Sequence, residues 1–311
     1  MKSIKKFLSP ALLTLAAMIW GFAFSAQKSA DSVPAFTLGM ARSFLAGVFL
    51  IFIILIFDKI FHTGRTLISK RGVDFSKSEL IGGVICGVVL ALASFLQQYG
   101  INSGAEAGKA SFITALYVVL VPVYALVLKK KAPLNVWISI AIAVVGFYFL
   151  CITGDLKISL PDLYVLLCAL IFPIHILTID VFSPKCDGVR LSCIQFFTAG
   201  VVNLIFALIL ESPVSLSAVW DAILPILFLG IGSSGIAYTL QILGQRGANP
   251  AAASILLSME SVFGVLGSSL FLGEKMSERE YIGCTVVFIA VILSQLDIKT
   301  MLKKKSKSED E

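Results

Sequence analysis

Charged residues are scarce in this sequence. Only 14% of its 311 residues are Asp, Glu, Lys or Arg, while 58% are hydrophobic and the mean hydropathy is +0.94. Soluble globular proteins are typically about 25% charged and about 45 to 50% apolar. The shortage of charge therefore excludes a soluble enzyme, a nucleic-acid-binding module and a disordered scaffold, and it indicates a membrane protein.

Several motifs of enzymes are also missing. The sequence contains no Walker A motif, no HExxH and no GxSxG, and the acidic residues of its apolar runs are scattered singly rather than in pairs suited to magnesium. The six cysteines include no CxxC pair, so neither a zinc site nor a disulfide framework is expected. We therefore predict a protein that is not an enzyme and that binds no cofactor, no metal and no nucleic acid.

Ten long apolar runs account for most of the chain. Each is close to the roughly 20 residues that a helix needs to cross the hydrocarbon core of a bilayer. They lie near residues 8–28, 34–57, 79–100, 108–128, 134–152, 161–182, 189–210, 217–243, 250–272 and 279–297. The sequence thus predicts an all-α integral membrane protein with ten transmembrane helices.

Basic residues are distributed unevenly between the two sides of the predicted bundle. If the N-terminus lies in the cytoplasm, 19 of the 25 Lys and Arg residues fall on the cytoplasmic side and five on the outer side. Lys and Arg are enriched in short cytoplasmic loops. We therefore expect a multi-pass protein of the plasma membrane with both termini in the cytoplasm, an uncleaved first helix and a charged cytoplasmic tail over 299–311.

The chain contains a weak internal repeat. A shift of 144 residues superimposes the third-to-fifth apolar runs on the eighth-to-tenth without a gap. It aligns Gln97 with Gln241, Gly100 with Gly244, Lys131 with Lys275, and Trp137 with Tyr281. Because each half holds an odd number of spans, the second half enters the membrane the opposite way up. This predicts two inverted five-helix repeats, over 1–155 and 156–298, an organisation that favours alternating access.

Short motifs in four of the predicted spans resemble those of one transporter family. They are Trp20-Gly21-Phe22 in the first span, Arg42 in the second, Ala110-Ser111-Phe112 to Pro122 in the fourth, and Glu260 and Leu272-Gly273-Glu274 in and after the ninth. With them, the sequence over about 8–298 resembles the drug/metabolite transporter superfamily, and within it the ten-helix EamA type. The resemblance implies transport of a small molecule such as an amino acid, a purine, a sugar or a drug.

Two positions depart from the pattern of that family. The family often has an acidic residue after the fourth span, where this chain has Lys129-Lys130-Lys131. A proline commonly follows the ninth-span glutamate, where this chain has Ser261. The missing proline counts against a helix kink near Glu260.

Ionisable residues within apolar spans need an explanation, because a charged side chain at mid-helix costs about 2.5 to 3.5 kcal/mol on insertion scales. Glu260 lies well inside the ninth span and shares a helical face with Ala253, Gly264 and Gly267. It can bind a cationic substrate group or a proton, or be a structural partner for a polar group of a neighbouring helix. Arg42 can receive a substrate carboxylate, pair with Glu260, or snorkel towards the headgroups.

His175, Trp20, Tyr117 and Tyr238 complete the set of candidate site residues. The ordinary histidine pKa of about 6.5 suits proton coupling, but His175 can also be a neutral, hydrogen-bonded core residue. Trp20, Tyr117 and Tyr238 share helical faces with other polar residues, as Tyr238 does with Gln241. Such faces can line a mostly aromatic cavity with a few orienting polar groups. The alternative is packing and hydrogen bonding between helices.

These features predict secondary transport of a small metabolite, either an amino acid, a nucleobase-like compound or a drug-like solute, by alternating access. Because no nucleotide site is recognised, the energy would come from the substrate gradient, a coupled proton or other ion, or the membrane potential. Export is preferred on the resemblance alone, and the alternative function is an intramembrane enzyme acting on a lipid-linked substrate. Expected partners are the small-molecule substrate, the lipid bilayer and the coupling ion, with the protein a monomer or a homodimer.

Overall fold

The computed structural model describes residues 2–60, 75–151, 159–211, 216–273 and 277–295. Within these ranges every regular element is helical. Glu274, Lys275 and the predicted tail over 299–311 lie outside the described residues, as does the predicted boundary between the repeats at 155 and 156.

Ten long helices follow one another through the described bundle, and each is numbered in chain order. They are α1 (Lys2–Ser29), α2 (Ala35–Ile60), α3 (Lys77–Asn102), α4 (Ala107–Val127), α5 (Leu134–Cys151), α6 (Leu160–Phe182), α7 (Gly188–Leu210), α8 (Ile223–Gln245), α9 (Pro250–Phe271) and α10 (Glu278–Gln295). A short helix, Leu216–Asp221, precedes α8. Among the described residues, eight helices are long and apolar enough to span a membrane, and α5 and α10 contain shorter apolar helices. The predicted all-α membrane fold is confirmed.

The starts of several helices are encoded by local side-chain caps. The Ser76 hydroxyl accepts a hydrogen bond from the Glu79 backbone N–H, and the Glu79 carboxylate accepts one from the Ser76 N–H. Ser159 and Asp162 form the same reciprocal box at α6. The Asn249 side chain caps α9. Each cap satisfies backbone N–H groups that have no partner within the helix, so the helices begin where the sequence places these residues.

The contacts between helices follow the pattern of two related halves. α3 packs on α6 and α7, and its counterpart α8 packs on α1 and α2, which are the counterparts of α6 and α7. In the same way, the contact of α1 with α9 matches the contact of α6 with α4. The pairs α2–α7, α4–α9 and α5–α10 each join corresponding helices of the two halves. Exchanging every helix for its counterpart five positions away leaves these contacts unchanged. This is the arrangement of two inverted five-helix repeats.

The fourth helix of each half is broken near its middle. α4 consists of Ala107–Ala115 and Tyr117–Val127, and α9 consists of Pro250–Leu257 and Glu260–Phe271. Under the 144-residue shift the two breaks fall within two residues of each other. α8 is irregular in another way, because Phe228–Ala237 is a π-helix, a form often found at functional sites.

The break in α9 occurs without the proline that the family commonly has. The Ser254, Ser258 and Ser261 hydroxyls each donate a hydrogen bond to the carbonyl oxygen three residues earlier, over 2.8 to 2.9 Å. Such side-chain bonds compete with the backbone bonds of a helix. The N–H groups of Met259 and Ser261 also bond to carbonyls three residues back, which tightens the turn. Hydrogen bonds from serine hydroxyls to backbone carbonyls therefore accompany the break in α9 just before Glu260, which the missing proline had counted against.

Corresponding contacts join loops and helix ends at the two ends of the bundle. We call the end where α1 begins and α10 ends the terminal face, and the other end the opposite face. At the opposite face, Asn102 Nδ2 at the end of α3 donates to Val33 O in the α1–α2 loop over 2.8 Å. At the terminal face, Arg246 after α8 donates to Ser183 O over 2.9 Å and to Cys186 O, both in the α6–α7 loop. Asn102 and Arg246 are related by the 144-residue shift, so the same position of each half makes the contact. We call the contacts of Asn102 and Arg246 the two latches.

Two glycines allow α1, α4 and α9 to meet closely around the centre. A Cβ atom on Gly21 would lie 2.7 Å from the backbone N of Gly264, and a Cβ on Gly264 would lie 2.6 Å from Ser111 Cβ. Real Cβ atoms do not approach other atoms this closely, so only glycine fits either position. This contact explains the glycine of the Trp20-Gly21-Phe22 motif and holds the broken α9 against α1.

Candidate functional site

A single central cavity of about 30 Å³ brings together all of the site residues predicted from the sequence. Their side chains come from α1, α2, α4, α6, α8 and α9. These residues are Trp20, Arg42, Tyr117, His175, Tyr238 and Glu260. Residues from both halves contribute, so the cavity lies where the two inverted repeats meet.

Glu260 is the first residue of the second half of α9, and its side chain is only 4% exposed. The N-terminus of a helix carries a partial positive charge that stabilises a carboxylate. Within the described chain, Glu260 Oε1 has no hydrogen-bond partner. The break in α9 therefore places Glu260 in the cavity wall, with Oε1 free of hydrogen bonds to the described chain.

Tyr117 has the corresponding place in the first half, because it begins the second half of α4. Its phenol lies beside the Glu260 carboxyl, and Tyr117 Oη makes no hydrogen bond of regular geometry in the described chain. The Tyr117 ring lies 6.5 Å from the ring of Phe172, centroid to centroid. The ring is thus held by packing while its hydroxyl stays available.

Arg42 is held by hydroxyl groups of the π-helix in α8. Its Nε donates to Ser234 Oγ over 3.0 Å and its Nη2 to Ser233 Oγ over 3.1 Å. The residue is 9% exposed, so it does not snorkel towards the headgroups. No ion pair joins it to Glu260 or to another acid of the described chain. Arg42 therefore places a positive charge in the cavity wall that no described carboxylate neutralises.

Aromatic rings make up much of the remaining wall. The Trp20 and Tyr238 ring centroids are 4.5 Å apart, and Trp20 Nε1 donates to Ser233 O over 3.3 Å. Tyr238 also contacts the rings of His175 and Phe196 edge to face, at 5.7 and 5.4 Å. Such edge contacts fix ring orientation more firmly than area burial alone. The Tyr238 ring thereby links α1, α6 and α7 at one side of the cavity.

His175 is fully buried and makes one side-chain hydrogen bond. Its Nε2 lies 2.9 Å from Gln195 Oε1, a distance that suits a hydrogen bond between the two side chains. His175 Nδ1 has no partner in the described chain. His175 is thus a buried, hydrogen-bonded residue in the cavity wall, and its role in proton coupling stays a prediction.

Other polar residues border the cavity or contact the side chains that line it. Ser94 lines it and is the repeat counterpart of Tyr238 under the 144-residue shift, a signal that could have identified it. Ser233 contacts Arg42, and Gln195 contacts His175. No pattern in the sequence predicts these contacts between helices. The described residues contain no cluster of three or more His, Cys, Asp or Glu side chains that could hold a metal ion.

Comparisons with known proteins agree with this architecture. A protein of Archaeoglobus fulgidus described as "Uncharacterized transporter" is 29% identical over 303 residues, which cover 96% of this chain and 89% of that protein. A solved crystal structure shares the fold, with a TM-score of 0.73 at 16% identity over 92% of this chain and 96% of the other. Residues 8–152 and 159–296 match the EamA-like transporter family. The chain is therefore a multi-pass membrane transporter that belongs to the EamA-like transporter family.

Proposed function

We propose that the protein is a secondary transporter that moves a small metabolite by alternating access around the central cavity. The observation that carries this proposal is the placement of Tyr117 and Glu260. They begin the second halves of α4 and α9, which correspond in the two repeats, and both project unpaired polar atoms into one buried cavity. Broken helices at the interface of inverted repeats are typical of transporter binding sites.

The cavity wall supports a substrate with both a polar and an apolar part. Arg42 contributes a positive charge, Glu260 an acidic oxygen, and Trp20 and Tyr238 a pair of rings in contact. A small amphipathic metabolite fits this combination, whether an amino acid, a nucleobase-like compound or a drug-like solute. In this proposal Arg42 and Glu260 complement charges of the substrate, and Glu260 can instead carry a coupling proton.

We assign the described conformation to a closed intermediate of the proposed transport cycle. A cavity of about 30 Å³ holds roughly two water molecules at about 10 to 15 Å³ each, far less than a metabolite needs. Latches at Asn102 and Arg246 close opposite faces, and α4 is tied to α6 at both ends by the ion pairs Lys109–Asp162 and Lys130–Asp180. Opening one face at a time would widen the cavity and expose it to one side.

The proposed orientation places the terminal face in the cytoplasm of the cell and assigns the protein to the plasma membrane. The charge count supports this, because 19 of 25 basic residues fall on that side. Export is the proposed direction, and the repeats are proposed to cover 1–155 and 156–298. The proposed partners are the substrate, the bilayer and a coupling proton or ion, and the proposed assembly is a monomer or a homodimer.

Release of metabolites from vesicles tests the proposal. Purified protein is reconstituted in vesicles loaded with a pooled metabolite extract, and mass spectrometry identifies compounds that leave faster than from protein-free vesicles. We expect a few compounds to be released selectively, with and without an imposed pH gradient to reveal proton coupling. Folded protein that releases nothing in either condition would overturn the proposal and favour the alternative of an intramembrane enzyme.

A matched pair of variants then assigns the role of the buried acid. Glu260→Gln should abolish transport or uncouple it from the pH gradient while the protein stays folded. Glu106→Gln removes an exposed carboxylate that precedes α4 and should leave transport unchanged. If Glu260→Gln transports as wild type does at every pH, Glu260 has no part in the mechanism.

A further inference from the structure

Two glutamines occupy corresponding positions in the repeats and both border the cavity. Gln97 lies in α3 and Gln241 in α8, 144 residues later. They are 7% and 1% exposed. The same side chain thus faces the same cavity from each half, and its environment in the two halves can be compared directly.

Both polar side-chain atoms of Gln97 have partners within the protein. Its Nε2 donates to Thr114 Oγ1 over 3.0 Å, and its Oε1 accepts from Gln27 Nε2 over 3.0 Å. This chain joins α1, α3 and α4. Because both polar atoms are held by neighbouring helices, we assign Gln97 a structural role.

Gln241 Oε1, in contrast, has no hydrogen-bond partner in the described chain. The 144-residue shift places Ser258 where the first half has Thr114, and the Ser258 hydroxyl donates to Ile255 O instead. Aligning the ends of α1 and α6 places Asp180 where the first half has Gln27, and Asp180 forms an ion pair with Lys130. Neither counterpart donates to Gln241 Oε1, because the Ser258 hydroxyl donates to Ile255 O and the Asp180 carboxylate can only accept.

A buried acceptor without a donor destabilises a protein unless a ligand or water satisfies it. Gln241 lies one helical turn from Tyr238, so its amide borders the aromatic part of the cavity. We propose that Gln241 Oε1 accepts a hydrogen bond from an N–H or O–H group of the transported solute and so selects solutes that carry such a donor. This inference rests on the proposed transport function and adds a specificity-determining residue to it.

The test compares donor-bearing compounds with analogues that lack one donor. The probes are the compounds that the wild-type protein releases from the metabolite extract, together with derivatives methylated at each N–H or O–H in turn. For the wild type, one methylation should slow release about fivefold, the size of one hydrogen bond between neutral groups. In Gln241→Met, which has a similar volume and no amide, that same methylation should change the release rate by less than about twofold.

The control is the corresponding substitution in the first half. Gln97→Met removes the hydrogen bonds that join Gln97 to Gln27 and to Thr114, so we expect a lower melting temperature and an unchanged methylation penalty. Gln241→Asn keeps the amide but shortens its reach, and it gives the same comparison should Gln241→Met fail to fold.

The possible outcomes separate the two proposals. If wild-type protein releases no compound, the transport function itself fails. If wild type and Gln241→Met transport with the same penalty for every methylated donor, transport stands and the role of Gln241 is overturned. Loss of the penalty in Gln241→Met alone supports the inference.

Discussion

Tyr117 and Glu260 begin the second halves of the two broken helices, one in each repeat, and their side chains meet in the central cavity. They are 3% and 4% exposed, and neither Tyr117 Oη nor Glu260 Oε1 has a hydrogen-bond partner in the described chain. The inverted repeat thus brings together the starts of two corresponding half-helices, with a phenol from one half and a carboxyl from the other.

Removing the Tyr117 hydroxyl should separate stability from transport. In Tyr117→Phe no hydrogen bond within the protein is lost, so we expect the melting temperature to change by less than about 2 °C. Transport should fall about fivefold, because the hydroxyl would no longer bond to the solute or to Glu260 during the cycle. Thermal unfolding in detergent and vesicle release measure the two effects. A large loss of stability with normal transport would show that the hydroxyl is structural.

Replacing Arg42 should test the contact between α2 and the π-helix of α8. A lysine cannot reproduce the guanidinium fork that reaches Ser233 and Ser234 together, so Arg42→Lys should lower the free energy of unfolding by about 1.5 to 3 kcal/mol. Ser234→Ala removes the partner of Arg42 Nε. The two changes combined should destabilise less than their separate effects added, because they break the same bond. Additive effects in thermal unfolding would contradict the contact.

The two latches should control access from opposite faces. A cysteine placed at Ser94, which lines the cavity, reports access to a membrane-impermeant thiol reagent in protein whose native cysteines are replaced. Arg246→Ala should increase labelling from the terminal face about tenfold, because two charge-assisted bonds are lost. Asn102→Ala should increase labelling from the opposite face by about fivefold, the effect of one neutral bond.

Vesicles of known orientation distinguish the two faces in that experiment. The informative comparison is the face at which each variant gains labelling. If both variants gain labelling from the same face, or neither does, the contacts of Asn102 and Arg246 are not gates.

Adding a methyl group at Gly264 should disturb the meeting of α1, α4 and α9. In Gly264→Ala the new Cβ would lie 2.6 Å from Ser111 Cβ, and overpacking of this kind typically costs about 1 to 3 kcal/mol. Gly232→Ala is the matched control, because its Cβ would meet no atom closer than 3.4 Å. We expect a lower melting temperature for the first variant only. Equal melting temperatures would mean that the three helices can separate without cost.

The helix count and the inverted repeat follow from local properties of the sequence. Each apolar run has the length of a membrane span, and caps such as Ser76 with Glu79 mark helix starts within a few residues. The odd number of spans in each half then requires opposite orientations. The break in α9 was harder to anticipate, because it depends on serines bonding to nearby carbonyls rather than on the missing proline.

The types of the site residues were also evident, since buried charge and polar aromatic groups are costly in a membrane and need a purpose. Arg42 and Glu260 stand out in the sequence for this reason. Their partners do not: the sequence left open whether Arg42 pairs with Glu260, and the structure bonds it to Ser233 and Ser234 instead.

By itself the sequence determined the membrane environment, the ten helices and the relation between the two halves. The length and hydrophobicity of each apolar run, and the number of such runs in each half, can be read directly from the chain. Only the tertiary structure decided that both polar atoms of Gln97 have partners while Oε1 of its counterpart Gln241 has none. The two residues are identical in type and equivalent in position, so no local property distinguishes them. The difference arises from which side chains of other helices come within hydrogen-bonding distance, and that depends on how the helices pack.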